Sequence, residues 1–405
     1  RNERYIGLLA KEFEMRKAAK SFSKSKISDT GDIDINKLSS YKFDDNIFRK
    51  VMIVPKGKSH GLVLLLDCSG SMSDNMSGSI EQVLVLSMFC RKVNIPFRVF
   101  GFTDNSSERY GGDAQSFSRN KNELFFSNVQ LREYLHSKMS NSEFSKSLRN
   151  MILLKESYRT SFNRIGRPTT ESLSNTPLIQ AIFAVGSIMK DFRQVNNIDL
   201  ASLVIVHDGD ADDCTHYCLE YTDKYTSQTR MISSGFNTRY NNIVIRDIKN
   251  KFEYGIFHKD EYNSTNEQVL ICALKWISEV CKCKVFGFFI LGRPSRAKNA
   301  IRYRYHFEDY KTLNEMRSQG NNSFFEKEKE LFKQFRKDKF LVSKTKGYNS
   351  FYLISGGSDL ETEKEQFEIQ GKVTTGKLKN AFMEMTKKKQ VNRVLVSKFI
   401  QEMAV

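Results

Sequence analysis

The chain has 405 residues, long for a single small domain but within reach of one enlarged α/β domain carrying insertions. Hydrophobic residues make up 40% and aromatics 12%, enough for a substantial core, which excludes a disordered or fibrous chain. Sixty-four Lys and Arg against 47 Asp and Glu leave a net charge of +17, which suits a basic soluble surface, an acidic partner or nucleic acid without choosing among them.

The cysteine count of seven is odd and has no disulfide-like framework, so reduced thiols in a cytoplasmic compartment are expected. Apolar runs are strand-sized, well short of the ~20 residues a membrane helix needs. No secretory signal is visible, although the chain opens on Arg1 rather than Met, which points to missing residues upstream.

Residues 1–60 read as a docking helix followed by an edge hairpin. RNERYIGLLAKEFEMRKAAK spaces apolar residues in near-helical fashion, and SDTGD is a turn signal. Ile47, Val51 and Ile53 then alternate before a Pro-Lys-Gly-Lys turn that feeds a central strand. From Leu62 the pattern becomes βαβ: the strand LVLLLD, the helix SIEQVLVLSMFCRKV and the strand PFRVFGFTD. A stretch from about 105 to 160 interrupts it, with a possible edge strand ELFFSNV and helices over LREYLHSKM and SKSLRNMILLKES.

The rhythm resumes with the helix TPLIQAIFAVGSIMKDF and the strand LASLVIVHDGD. A second insertion, about 211 to 263, holds NNIVIRDI and KFEYGIF as a β-hairpin. The helix NEQVLICALKWISEVC, the strand KVFGFFILG, a charged helical stretch over about 307–340 and the strand NSFYLIS follow. SDLETEKEQF carries a helix-start signature, and residues 371–405 form a basic amphipathic helical tail. The expected architecture is therefore α/β, with a mostly parallel central sheet flanked by helices over about 61–370 and helical extensions at both ends.

Chemistry-bearing residues recur at the expected strand ends. Asp67, Ser69 and Ser71 follow the first strand, Thr176 opens a helix, and Asp208 follows VIVH. Two carboxylates and three hydroxyls are hard oxygen ligands, suited to Mg²⁺ or Mn²⁺. Such a set under-neutralises the ion, so a carboxylate from a protein partner is attracted to an open position. Thr169 and Thr170 are alternatives for the threonine; Pro177 at a helix start favours Thr176. On its own, Asp-x-Ser-x-Ser also reads as a turn that caps the next helix.

Other clusters are weaker. Asp210, Asp212 and Asp213 read as a solvated acidic loop or a second cation site, while His207, Cys214, His216 and Cys218 invite zinc without finger spacing. Cys68, Cys90, Cys272, Cys281 and Cys283 read as small core residues. The chain has no His-Glu-x-x-His, no phosphate-cradling Gly-x₄-Gly-Lys-Ser/Thr and no Gly-x-Ser-x-Gly elbow, so any ATP use belongs to a partner. The basic tail has sparse aromatics and no nucleic-acid recognition motif.

DCSGS with the downstream NTP and HDGD resembles the metal-ion-dependent adhesion site of von Willebrand factor A domains, in that family's chain order. The resemblance spans about residues 48–370 and implies a Rossmann-like sheet wrapped by helices. It also implies that Ser69, Ser71 and Thr176 touch the ion, with Asp67 and Asp208 bound directly or through water. TGDIDINKL, the hairpin before the DCSGS strand, the HDGDADD end and the hairpin insertion are similar to the CobT-type subunit of cobaltochelatase and its phage-encoded relatives. That likeness implies a MoxR-like hexameric AAA+ ATPase partner of CobS type, and a cytoplasmic setting in a bacterium or phage-infected host. The leading expectation is thus a cation-dependent protein-binding adaptor without catalysis of its own. The alternatives are a metal-inserting cobaltochelatase component and, further off, a nucleic-acid-binding protein.

Overall fold

The computed structural model describes residues 3–23, 26–33, 48–53, 59–104, 120–124, 129–159, 166–212, 216–236, 242–257, 265–292, 301, 322–357, 395 and 398. In chain order, α1 (Glu3–Ser23) precedes a small antiparallel sheet of β1 (Lys26–Ile33) and β2 (Phe48–Ile53). The alternating part begins with β3 (His60–Asp67), α2 (Met76–Lys92), β4 (Phe97–Thr103), β5 (Gln130–His136) and α3 (Asn141–Arg159). It continues with α4 (Leu178–Val195), β6 (Leu200–His207) and two hairpins, β7 (His216–Thr222) with β8 (Thr229–Gly235) and β9 (Ile243–Asp247) with β10 (Phe252–Ile256). Last come α5 (Thr265–Val280), β11 (Cys283–Leu291), α6 (Asn322–Asp338), β12 (Phe340–Ser343) and β13 (Ser350–Ser355).

Seven strands form the central sheet in the order β12-β13-β11-β6-β3-β4-β5. The five inner strands are parallel, and the edges β12 and β5 are antiparallel to their neighbours. Both faces of β3 are buried, which is why LVLLL is continuously apolar rather than alternating. Leu62, Leu64 and Leu66 pack with residues of α1, α2 and α3. Val63 and Leu65 pack on the opposite face with α4 and α5. The result is the mixed, Rossmann-like α/β architecture read from the alternation.

Glycine sets the approach of the two helices on that second face. A Cβ on Gly186 in α4 would lie 2.3 Å from the Trp276 ring of α5, so the rigid indole occupies the space a side chain would need. A mid-helix glycine costs about 1 kcal/mol against alanine, a penalty offset here by close packing. On the first face, Phe13 of α1 meets Phe89 of α2 edge to face at 5.7 Å, seating the N-terminal helix.

Some expectations need correction. LREYLHSKM is not helical: Gln130–His136 is β5, paired with β4 and tied by Arg98 to Glu133 at 2.6 and 2.9 Å. The register shifts between Val99, opposite Leu135, and Phe100, opposite Glu133, leaving Tyr134 as a bulge. A bulge breaks the period of two, so Leu131 and Leu135 contact opposite faces of the sheet at a spacing that reads as helical. SDTGD lies within β1, and the β1–β2 pair is a separate sheet rather than an edge of the central one.

The β9–β10 hairpin falls where expected, whereas β7–β8 and β12 were not anticipated. Most of ELFFSNV, the start over SDLETEKEQF and nearly all of residues 371–405 lie outside the described residues. Among the described residues, no helix is long and apolar enough to cross a membrane.

Candidate cation site at the ends of β3 and β6

β3 and β6 are neighbours, yet the chain leaves β3 through α2 on one face and reaches β6 through α4 on the other. This is the switch point of an open parallel sheet, where connections diverge and leave a crevice at the carboxyl ends of the strands. Asp67 ends β3, and Asp208 and Gly209 follow β6.

The loop that carries Thr176 is laid alongside the loop after β3. Ser69 and Ser174 form a parallel bridge, with Gly70 N–H donating to Ser174 O at 2.7 Å. Asp104, buried at the end of β4, accepts from Asn175 N at 2.9 Å and Asn175 Nδ2 at 2.7 Å. Thr176 O accepts from Asp212 N at 2.9 Å, tying this loop to the one after β6. Thr176 is buried, whereas Thr169 and Thr170 sit in an exposed turn. That turn is held elsewhere, because Glu171 accepts from Arg132 at 3.1 Å and from Tyr134 Oη at 2.8 Å.

Three of the five side chains are linked by hydrogen bonds, and a fourth borders the same space. Ser69 Oγ lies 3.0 Å from Ser71 Oγ, and Ser71 Oγ donates to Asp208 Oδ1 at 2.5 Å. A Cβ on Gly209 would lie 3.5 Å from Ser71 Oγ and 3.6 Å from Thr176 Oγ1, so both hydroxyls border the space over this glycine. Asp67, the fifth, is fully buried: its Oδ1 accepts from Ser69 N at 2.9 Å and its Oδ2 has no hydrogen-bond partner. Burial, then the negative charge of Asp208, hold its carboxyl well above the usual range against the opposing bonds from Ser69.

The serines do not cap. Ser69 stands at the N-cap of the short 3₁₀ turn Gly70–Asp74 without a capping bond, its hydroxyl directed to Ser71 instead. Asn75 precedes α2 in the N-cap position, yet its side chain makes no capping bond. Its Nδ2 donates to Asp208 Oδ2 at 3.1 Å, and its Oδ1 accepts from Gly357 N at 2.9 Å. Asn75 and Asp104 are the functional neighbours that sequence reasoning missed. An Asn before a helix was a visible signal, but for the wrong role.

Every candidate donor is an oxygen, which fits Mg²⁺ or Mn²⁺ rather than a soft metal. Among the described residues, no group of three or more His, Cys, Asp or Glu forms a metal set. The present cluster differs in kind, because three of its five members are hydroxyls. The zinc reading has no support among its described members: Cys218 is buried and backbone-paired to Asn122 and Glu123, and His207 Nδ1 meets Gly209 O at 2.9 Å. Cys214 lies outside the described residues.

The chain matches no family model and no curated protein. Among solved structures it is similar to the pilus adhesin SpaC from Lactobacillus rhamnosus GG in its open conformation, at 13% identity and a TM-score of 0.30. The match covers 58% of this chain and 24% of the adhesin, and a likeness this slight bears on neither fold nor function.

Proposed function

We propose that this chain is a cation-dependent protein-binding module whose rim at β3 and β6 takes a carboxylate of a partner protein. The observation that carries the reading is Asp67, a fully buried carboxyl with an unpartnered Oδ2, set in the field of Asp208. A buried group in that position is costly unless a proton or a cation answers it. Ser69, Ser71 and Thr176 through hydroxyls, and Asp67 and Asp208 through carboxylates, would hold Mg²⁺ or Mn²⁺. When bound, the ion supplies a positive centre open to an incoming acidic side chain.

The chain's own residues prepare that centre. Asp104 fixes Asn175 and hence the Thr176 loop, Asn75 orients Asp208, and the Ser69–Ser71 contact sets the two hydroxyls side by side. The partner we propose, a MoxR-like AAA+ ATPase, rests on the sequence likeness to CobT-type subunits, as does a cytoplasmic setting. The six described cysteines are free thiols, in keeping with that compartment.

The test is calorimetric titration of Mg²⁺ into wild type and Asp67→Ala, repeated with a MoxR-like ATPase present. Wild type is expected to bind, and Asp67→Ala to lose at least about a hundredfold in affinity, since even outer-shell changes cost ten- to a hundredfold. Circular dichroism of the variant checks that the fold survives. A wild-type chain that takes up neither Mg²⁺ nor Mn²⁺ overturns the reading. Ion binding that leaves ATPase association unchanged removes this partner and keeps the site.

A further inference from the structure

A second surface lies away from the rim. Between the two hairpins is an open groove of about 1100 Å³, bordered by two unbroken runs of chain, Asn120–Leu124 and Asn242–Ile248. Side chains of a strand alternate between its faces, so a strand that lines a space with every consecutive residue presents its backbone edge there. Among the described residues β9 pairs with β10 alone, in a two-stranded sheet. Among the described residues no strand meets its other edge, whose outward N–H and C=O groups can take a further strand.

The opposite wall is strand-like as well. Leu124 bridges Tyr217 of β7, Asn122 N donates to Cys218 O and Cys218 N to Glu123 O, both at 2.8 Å. The floor is aromatic, formed by Phe183 of α4 and Trp276 of α5 with ring centroids 5.1 Å apart. Polar atoms at the floor are already engaged: Asp247 accepts from Trp276 Nε1 and from Asn250. At the lip, Val244 and Ile248 are 47% and 89% exposed.

We propose that this groove binds an extended segment of a partner protein as an added strand beside β9, with apolar side chains on the Phe183–Trp276 floor. The open edge selects an extended backbone over a helix, because only a strand offers donors and acceptors along its whole side. Lys121 lines the wall and makes no ion pair among the described residues, so an acidic residue in the segment fits that end of the groove. None of Asp67, Ser69, Ser71, Thr176 and Asp208 lines the groove, so this inference stands apart from the cation reading.

The probe is a library of random peptides displayed on phage, selected on the full-length chain and counter-selected on Lys121→Glu/Val244→Glu. Both substituted positions line the groove, and Val244 is half exposed, so the variant is expected to fold. Enriched peptides are expected to alternate large apolar with polar residues, to carry an acidic residue, and to slow amide exchange in Ile243–Asp247. Synthetic copies methylated on alternate backbone nitrogens provide the decisive comparison. Methylation in one register is expected to weaken binding about tenfold, for two lost hydrogen bonds, and in the other to leave it unchanged.

Asp67→Ala is expected to bind the same peptides as wild type does, separating failure of this inference from failure of the cation site. The proposal is overturned if nothing enriches, if both methylated registers weaken alike, if Asp67→Ala abolishes binding, or if protection falls on residues 67–71 and 208 instead. A dimer that forms through this groove in sedimentation also overturns it, since a second copy is then the occupant.

Discussion

At Gly209 the absence of a side chain leaves room where two hydroxyls approach. The distances from a Cβ built there to Ser71 Oγ and Thr176 Oγ1 are 3.5 and 3.6 Å, ordinary van der Waals contact, so the fold can accept a methyl group. The same methyl would border both oxygens on the side where the proposed ion would gather them. Mg²⁺ demands near-ideal octahedral geometry at short distances, which leaves little tolerance for crowding. Gly209→Ala is therefore expected to change unfolding free energy by less than about 1 kcal/mol. It is also expected to weaken Mg²⁺ binding at least about tenfold, a factor worth roughly 1.4 kcal/mol. Denaturant unfolding and titration calorimetry on one preparation check both halves. A variant that binds Mg²⁺ as wild type does would show that Ser71 and Thr176 are not gathered by the ion.

Among the elements, the β9–β10 hairpin is fastened to α5 through Trp276 Nε1, which donates to Asp247 Oδ2 at 2.8 Å, with Asn250 donating to the same carboxylate. Burial works to raise the Asp247 pKa, but the bonds from Trp276 and Asn250 and the charge of Lys190 outweigh it and hold the carboxyl below its ordinary 3.8. A group depressed on folding stabilises above its unfolded pKa and loses that contribution as pH falls through the lower, folded value. Asp247→Asn keeps the size and an acceptor but removes the charge. It is expected to speed amide exchange in Ile243–Ile256 at neutral pH, lowering the local opening free energy by about 1 kcal/mol. The gap between wild type and variant should close as pH drops below 3.8. A gap independent of pH would mean that shape, not charge, fastens the hairpin. Elements were legible wherever burial made a pattern: β3 and β6 as apolar runs covered on both faces, α4 as a helix with one deeply buried side. β7 and β8 bury little, so nothing in HYCLEYT or TRMISSG contrasts one face with the other. β5 was hidden by its bulge. The Asp-x-Ser-x-Ser spacing, Thr176 and Asp208 could be read because strand ends announce them. Asn75 could not, since its role depends on Asp208 and Gly357, 133 and 282 positions away.

Across the whole molecule, segments far apart in sequence close one core. The layer over α2 contains Phe13 from α1 and Leu395 from near the other end, the latter 1% exposed. Lys398 places its Nζ 4.0 Å from the Phe340 ring centroid, a cation–π contact with β12. These two residues are the described part of a stretch whose sequence is strongly basic, and their placement bears on how the +17 charge is tolerated. Self-repulsion of a basic tail favours its release, and burial of an apolar side chain in the core opposes it. Leu395→Ala tests which wins. With Leu395 in the core, the substitution is expected to cost about 2–5 kcal/mol in global stability, with a single cooperative transition retained. If repulsion keeps that segment off the sheet, the cost falls to within about 0.5 kcal/mol, the range of surface changes. Raising salt separates the cases further, because screening weakens repulsion between exposed charges while leaving the buried contact intact. Wild-type stability should therefore rise with salt, and the loss caused by Leu395→Ala should persist at every ionic strength, measured by urea unfolding at low and high NaCl.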